Sequence, residues 1–202
     1  MGSTRLEAFS DGVIAIIITI MILELQVPHG TDFSALAPVL PHFGVYLLSF
    51  IFLGIYWNNH HHMLHLTDRI TGGVLWANLH LLFWLSLVPF VTAWMGENNF
   101  VAVPTAVYGL VLLLNGLAYY ILERVIIAAQ GPECRLALAV GKDAKGMASV
   151  VLYAIAIVLA FVLPAIALVI YVVVALMWLV PDPRIEAQLS EHPAPPPRIG
   201  DR

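Results

Sequence analysis

Apolar segments near the length of a membrane-spanning helix make up most of this 202-residue chain. A helix needs about 20 apolar residues to cross a bilayer. Hydrophobic residues account for 60% of the sequence and charged residues for only 11%, whereas soluble domains average about 25% charged residues. The sequence therefore predicts an all-α integral membrane protein with six transmembrane helices, over residues 6–27, 38–64, 72–96, 102–126, 146–163 and 165–180.

The last two segments form one apolar run, residues 146–180. A single helix of about 35 residues would be about 50 Å long, against a hydrocarbon core of about 30 Å. Pro164 lies inside the run, and proline breaks a helix because it lacks a backbone N–H and its ring clashes with the preceding turn. Two short helices joined at Pro164 are therefore predicted.

The basic residues predict the orientation of these helices. Cytoplasmic loops of membrane proteins are enriched in Lys and Arg. With six spans, all nine basic residues fall on one side: Arg5, Arg69, Arg124, Arg135, Lys142, Lys145, Arg184, Arg198 and Arg202. Both termini are therefore predicted to be cytoplasmic. Residues 1–180 form the predicted membrane domain, and the proline-rich residues 181–202 are expected to be a disordered cytoplasmic tail because they lack an apolar face.

A polar motif begins the first helix. Arg5-Leu-Glu-Ala-Phe-Ser10-Asp11-Gly12 continues directly into the apolar residues 13–23. An ionised Asp within hydrocarbon costs on the order of 2.5 to 3.5 kcal/mol unless protein groups satisfy it. Asn58 to His62 in the second segment and Asn78 in the third lie at a similar predicted depth. Hydrogen bonds among these groups would join helices or subunits, which is the role we expect for Ser10 and Asp11.

One face of the first helix is apolar. On a 100° helical wheel, a single line passes close to Phe9, Gly12, Ile16, Thr19, Ile20, Leu23 and Val27. Ser10 and Asp11 point to the other side. Such a stripe in a membrane helix is typical of lipid-facing or core residues, so the wheel alone does not assign it a function.

The His60–His65 range contains histidines at spacings that can share a helix face and bind a metal. A zinc transport site would need further ligands, and only Asp11, Asn78 and His80 are available. We therefore predict no metal and no cofactor. A proton- or metal-coupled transporter that uses Asp11 and this histidine range is the alternative interpretation.

Several classes of function are disfavoured. The single cysteine, Cys134, can form neither an intrachain disulfide nor a CxxC pair. No nucleophile elbow, phosphate loop or HExxH motif is present, which predicts that the chain is not an enzyme. Its net charge of −4 points to no nucleic-acid partner.

Three motifs together resemble the transmembrane protein 175 family of potassium channels. They are Arg5-x-x-x-Phe9-Ser10-Asp11-Gly12, Tyr56-Trp57-x-x-His60-His61, and Asn78-Leu-x-Leu-Leu-Phe83-x-x-Ser86-Leu-x-Pro89-Phe90. The resemblance is close over the first three helices and extends to the whole chain in topology. One motif copy per chain is similar to the prokaryotic single-repeat members, which form tetramers.

The resemblance implies a homotetramer whose central pore is lined by helix 1. Carried onto this sequence, it implies an apolar constriction at Ile16, Ile20 and Leu23, a pore hydroxyl that affects selectivity at Thr19, and an assembly network of Arg5, Ser10, Asp11, His60, His61 and Asn78.

The predicted function is a passive potassium channel in the plasma membrane of a prokaryote, with potassium ions, membrane lipid and other copies of the chain as its partners. An apolar ring can narrow and dewet the path, and the sequence has no TVGYG filter to replace the hydration shell of the ion. We therefore expect modest selectivity for potassium over sodium. Besides the coupled transporter, a non-conducting scaffold is the second alternative.

Overall fold

The computed structural model describes residues 3–140 and 143–179, and every regular element in these ranges is a helix. The all-α prediction is therefore confirmed. The helices are α1 (Ser3–Met21), α2 (Leu40–His65), α3 (Gly72–Ser86), α4 (Val88–Glu97), α5 (Ala102–Gln130), α6 (Arg135–Val140), α7 (Ala144–Ala160) and α8 (Pro164–Leu179). Two short 3-10 turns, Ile22–Glu24 and Phe33–Leu36, lie between α1 and α2. The predicted tail at 181–202 lies outside the described residues.

Four helical stretches are long and apolar enough to cross a bilayer: Thr4–Glu24, Leu40–His65, Gly72–Glu97 and Ala102–Gln130. The third stretch contains both α3 and α4. With 17 and 16 residues, α7 and α8 are apolar but shorter than the ~20 residues of a typical span. The helices fit a membrane protein, and the count of six spans stays a prediction.

Local chemistry explains where several helices begin and end. The Thr71 hydroxyl accepts a hydrogen bond from the Val74 backbone N–H at 3.4 Å, and the Asp143 carboxyl accepts one from Gly146 at 2.8 Å. These side chains cap α3 and α7 by satisfying N–H groups that have no partner within the helix. After α5, Gly131 adopts a φ of 102°, which glycine reaches without a steric penalty.

Several features differ from those predicted, including the ends of α5 at Gln130 and of α7 at Ala160, which were predicted at 126 and 163. The helix α1 ends at Met21, six residues before the predicted end at 27, and Leu25 is already extended. The predicted third span is interrupted at Leu87, because Pro89 cannot donate the backbone hydrogen bond of a continuous helix. The short helix α6 was not predicted. The break at Pro164 is present, since α8 begins at that residue.

The packing places α1 at one side of the protomer. It contacts α2, α3 and α4, whereas α5 packs against α3, α4, α7 and α8. Small side chains let the last two helices approach closely: Ala156, Ala160 and Ala167 are completely buried. Tyr171 of α8 also donates a hydrogen bond of 3.0 Å to the Thr105 carbonyl in α5. The first helix is therefore attached to the bundle by one face only.

Candidate functional site

The two faces of α1 have different environments. Buried side chains recur along one face at Leu6, Ser10, Ile14, Ile17 and Met21. This spacing of three and four residues is that of a single helix face. The face packs into the protomer and fixes the rotation of α1 about its own axis.

The opposite face is exposed on the protomer. Ile16, Ile20 and Leu23 are 58%, 43% and 80% exposed, and Phe9 and Thr19 are exposed beside them. The Thr19 hydroxyl donates to the Ile16 carbonyl at 2.9 Å, which leaves its oxygen lone pairs available as acceptors. We call Ile16, Thr19, Ile20 and Leu23 the α1 stripe. Leu23 lies in the 3-10 turn after α1, so its angular position departs from that of an ideal helical wheel.

A buried hydrogen-bond chain joins α1, α2 and α3. Asn78 donates to the Ser10 hydroxyl at 2.9 Å, and its amide oxygen lies 2.7 Å from His60 Nε2. Ser10 in turn donates to the Leu6 carbonyl at 2.9 Å. All three polar side chains are completely buried. The structure thus brings together three of the six residues proposed for the assembly network.

Two further contacts, one helical turn apart from each other, link α1 to α2. The indole N–H of Trp57 donates to Asp11 at 3.0 Å, and His61 Nδ1 lies 2.7 Å from a carboxyl oxygen of Glu7. The Trp57 and His61 rings also stack, with centroids 6.3 Å apart. Both contacts lie on a partly exposed face. We call them the α1–α2 ladder.

The sequence analysis did not assign Glu7 and Trp57 to the polar network. A signal was present in the matched spacing, because Glu7 and Asp11 are four residues apart on α1 and Trp57 and His61 are four apart on α2. Residues four apart lie on the same helix face, so two such pairs can meet in register. Arg5, by contrast, is exposed and makes no hydrogen bond or ion pair with any residue the structure describes.

The histidine range forms ring contacts. His61 packs between His62 and His65, with centroid distances of 5.6 and 6.1 Å. Across residues 3–140 and 143–179, no three His, Cys, Asp or Glu side chains converge on a point where they could hold a metal ion.

Comparison with known proteins gives three related findings. A family model described as "Endosomal/lysosomal potassium channel TMEM175" matches residues 5–89. A protein named a potassium channel, from Chryseobacterium sp. (strain P1-3), is 50% identical over 192 residues, which cover 95% of this chain and 100% of that protein. The chicken (Gallus gallus) protein named "Endosomal/lysosomal proton channel TMEM175" is 34% identical over 83 residues, which cover 35% of this chain and 17% of that protein.

A solved structure shares the fold. The crystal structure of a lysosomal potassium-selective channel TMEM175 homolog from Chamaesiphon minutus superposes with a TM-score of 0.75 at 27% identity. The match covers 88% of this chain and 96% of the other. The region of the family match contains the α1 stripe, the buried hydrogen-bond chain and the α1–α2 ladder. These relatives are named ion channels, in agreement with the prediction that the chain is not an enzyme.

Proposed function

Since this chain belongs to the TMEM175 family, we propose that it forms a potassium-permeable channel that conducts passively across a membrane. A relative that matches over its whole length is named a potassium channel, and the structural neighbour is described as potassium-selective. Conduction then needs neither a cofactor nor a metal. The chain provides a potassium leak that contributes to the membrane potential.

The single observation that carries the pore assignment is the exposure of the α1 stripe. Hydrogen bonds and buried apolar contacts fix the opposite face of α1 inside the protomer. The stripe therefore faces either lipid or other copies of the chain. Four protomers around a symmetry axis, each presenting this face, would enclose a path along α1.

The side chains of the stripe suit a narrow, weakly selective path. Ile16 and Ile20 are one turn apart, so in a tetramer they form two successive apolar rings, with Leu23 beyond them. Such rings narrow the path and favour dewetting. Thr19 adds a hydroxyl between the rings, and we assign it an effect on the ratio of potassium to sodium permeability.

The polar residues hold α1 in this orientation and contribute to assembly. Ser10, His60 and Asn78 lock the buried face, whereas Asp11 and His61 lie on the more exposed ladder, where a neighbouring subunit could also contact them. Arg5, exposed and without a partner in the described protomer, is available for contact with a second copy. None of these residues is assigned as an ion ligand.

We also propose six spans with both termini in the cytoplasm of a bacterium. The distribution of Lys and Arg favours this arrangement. The shortness of α7 and α8 is compatible with it, because bilayers thin around short spans at a modest cost in free energy. The plasma membrane is the compartment expected for such a protein.

The decisive experiment measures reversal potentials of the purified chain in planar bilayers under a bi-ionic potassium and sodium gradient. A reversal displaced toward potassium, with discrete unitary currents, supports the proposal. A ratio of potassium to sodium permeability near one would contradict the proposed selectivity. Saturable flux coupled to a proton gradient would favour the transporter that uses Asp11 and His60 to His65. Intact tetramers without any current would favour the scaffold.

A second arm tests protons, because the chicken relative is named a proton channel. Both alkali cations are replaced by an impermeant organic cation, and a pH gradient is applied across the same bilayer. A reversal potential that follows the proton gradient would add protons to the permeant ions. If no current flows under the pH gradient, the channel conducts alkali cations and not protons.

A further inference from the structure

A cleft of about 580 Å³ lies at the helix ends, away from α1. One wall is the connection between α2 and α3, with Asp68 and Arg69. The other wall is the end of α5 and the start of α6, including Gln130, Glu133 and Arg135. The volume is within the range of about 300 to 1,000 Å³ that is common for small-ligand sites.

Two arginines in this cleft have no partner. Arg69 is exposed and Arg135 is half-buried, and neither makes an ion pair or a hydrogen bond with any described residue. Arg124, one turn before the cleft, differs: it lies 3.1 Å from Glu123 and over the ring of Tyr120 at 4.8 Å. A guanidinium presents a planar fork of donors that matches the oxygens of a phosphate. The cleft thus combines two unused donors of this kind.

Gln130 ties the two walls together and adds a third donor. Its side-chain oxygen accepts a hydrogen bond of 3.2 Å from the backbone N–H of Asp68. This bond sets the orientation of the amide, since the oxygen must face the N–H. The amide nitrogen is then buried and has no partner among the described residues. Buried donors are normally satisfied, so an acceptor such as a water or a ligand oxygen belongs beside this one.

From this geometry we propose that the cleft binds a phosphate group, held by Arg69 and Arg135 at the membrane surface. The walls follow directly on the ends of two membrane-spanning stretches, α2 and α5, which is where phospholipid phosphates lie. The inference concerns a site separate from the α1 stripe and does not depend on conduction.

The carboxyl groups in the cleft limit which phosphate-containing ligands can bind there. Asp68 and Glu133 are exposed in the same walls and would repel a ligand with several negative charges. They would also accept hydrogen bonds from an ammonium group. A phosphodiester with one negative charge fits better than a nucleoside triphosphate, and the headgroup of phosphatidylethanolamine fits both the arginines and the carboxylates.

The experiment compares a lipid source with a soluble source of phosphate. In the first arm, native mass spectrometry counts the lipids retained by the full chain from nanodiscs. The nanodiscs contain phosphatidylethanolamine, phosphatidylglycerol or a phosphate-free galactolipid with the same acyl chains. In the second arm, inorganic phosphate is titrated against chloride at constant ionic strength, and the thermal unfolding midpoint of the detergent-purified chain is measured.

Three variants are compared with the wild type: Arg69→Gln and Arg135→Gln in the cleft, and Arg124→Gln outside it. Each removes one positive charge from the same end of the bundle, so Arg124→Gln controls for charge. Loss of one charge-assisted contact should lower binding about tenfold. Size-exclusion profiles report whether each variant keeps its fold and assembly.

A lipid phosphate would be supported if the wild type retains a phospholipid but not the galactolipid. The two cleft variants should then lose the phospholipid, and Arg124→Gln should keep it. Stabilisation by inorganic phosphate with the same variant pattern would support a soluble phosphate. Equal behaviour of all four proteins in both arms would overturn the proposal. Equal retention of the galactolipid would also overturn it, because acyl chains would then account for binding.

Discussion

The indole N–H of Trp57 on α2 donates a hydrogen bond of 3.0 Å to Asp11 on α1. It is the only hydrogen bond that the Asp11 side chain makes within the described residues. Asp11 follows Ser10 directly, but the two side chains bond to different helices, α2 and α3. Adjacent residues therefore attach the start of α1 to two neighbours, which fixes both its position and its rotation.

The Trp57–Asp11 bond makes a measurable contribution to stability. Trp57→Phe keeps an aromatic ring but removes the donor, and we expect it to lower the free energy of unfolding by about 1 kcal/mol. Trp76→Phe is the matched control, since Trp76 is 76% exposed and makes no hydrogen bond in the described structure. Unfolding in a graded detergent series measures both. Equal losses for the two variants would contradict the assigned role of the bond.

Asn78 is energetically coupled to Ser10. Asn78→Leu removes the amide that donates to the Ser10 hydroxyl, which still donates to the Leu6 carbonyl, and it leaves the His60 ring without its hydrogen-bond partner. This should cost about 2 to 4 kcal/mol. Each single variant breaks the Ser10–Asn78 hydrogen bond, and the double variant Ser10→Ala with Asn78→Leu breaks it only once. The combined loss should therefore be smaller than the sum of the single losses. A double-mutant cycle on thermal unfolding tests this, and strict additivity would exclude the coupling.

The orientation of α1 predicts that substitutions at two neighbouring isoleucines affect different properties. Ile16→Asn places an amide on the exposed stripe, where it should wet the constriction and raise unitary conductance severalfold. Ile17 is 5% exposed and faces the bundle, so Ile17→Asn should mainly reduce the yield of folded protein. Single-channel currents and size-exclusion profiles separate the two outcomes. The pore assignment fails if both variants alter conductance equally.

Thr19 offers a test of selectivity at nearly constant shape. Thr19→Val replaces the hydroxyl by a methyl group on the exposed stripe. If the hydroxyl contacts permeating ions, the ratio of potassium to sodium permeability should fall toward one. Bi-ionic reversal potentials measure that ratio. Thr67→Val is the control, because the Thr67 hydroxyl is buried against the Met63 carbonyl, away from the stripe.

The contact of Gly109 with Tyr171 predicts a strong dependence on side-chain size. A Cβ atom at Gly109 would collide with the Tyr171 ring, and we expect Gly109→Ala to destabilise the chain by about 1 to 3 kcal/mol. Adding Tyr171→Leu should recover part of that loss. On the same helix, a Cβ at Gly116 meets nothing closer than 3.8 Å, so Gly116→Ala should be neutral or stabilising. Thermal unfolding of the wild type and these three variants measures these differences.

The sequence predicted the helical class and the break at Pro164 because both depend on strong local signals. Helix ends were harder to predict. Apolar residues continue past Met21 to Leu23, and Leu25 and Val27 then alternate with Glu24 and Gln26, so hydrophobicity did not mark residue 21 as the end of the helix. The interruption at Leu87 was missed although Pro89 is visible in the sequence, since apolar residues flank it on both sides.

Pairings between helices were predicted only in part. Ser10, His60 and Asn78 share a predicted depth, and the structure brings them together. Glu7 and Trp57 were missed because depth alone does not determine which side of each helix faces the other. That information depends on the rotation of α1, which the buried contacts of Ile14 and Ile17 determine.

The cross-helix hydrogen bonds of α1 in the described structure all lie at its first half, on Glu7, Ser10 and Asp11. Beyond Asp11 only apolar contacts hold the helix, and these permit sliding because they have no preferred direction. The end of α1 beyond Asp11 can therefore tilt about the attached first half of the helix. At 1.5 Å per residue, Leu23 lies about 18 Å away, so a tilt of about 10° would move it by about 3 Å. That displacement is comparable to the size of a dehydrated ion, so in the proposed tetramer a small tilt of α1 about Asp11 would change the width of the path at Leu23.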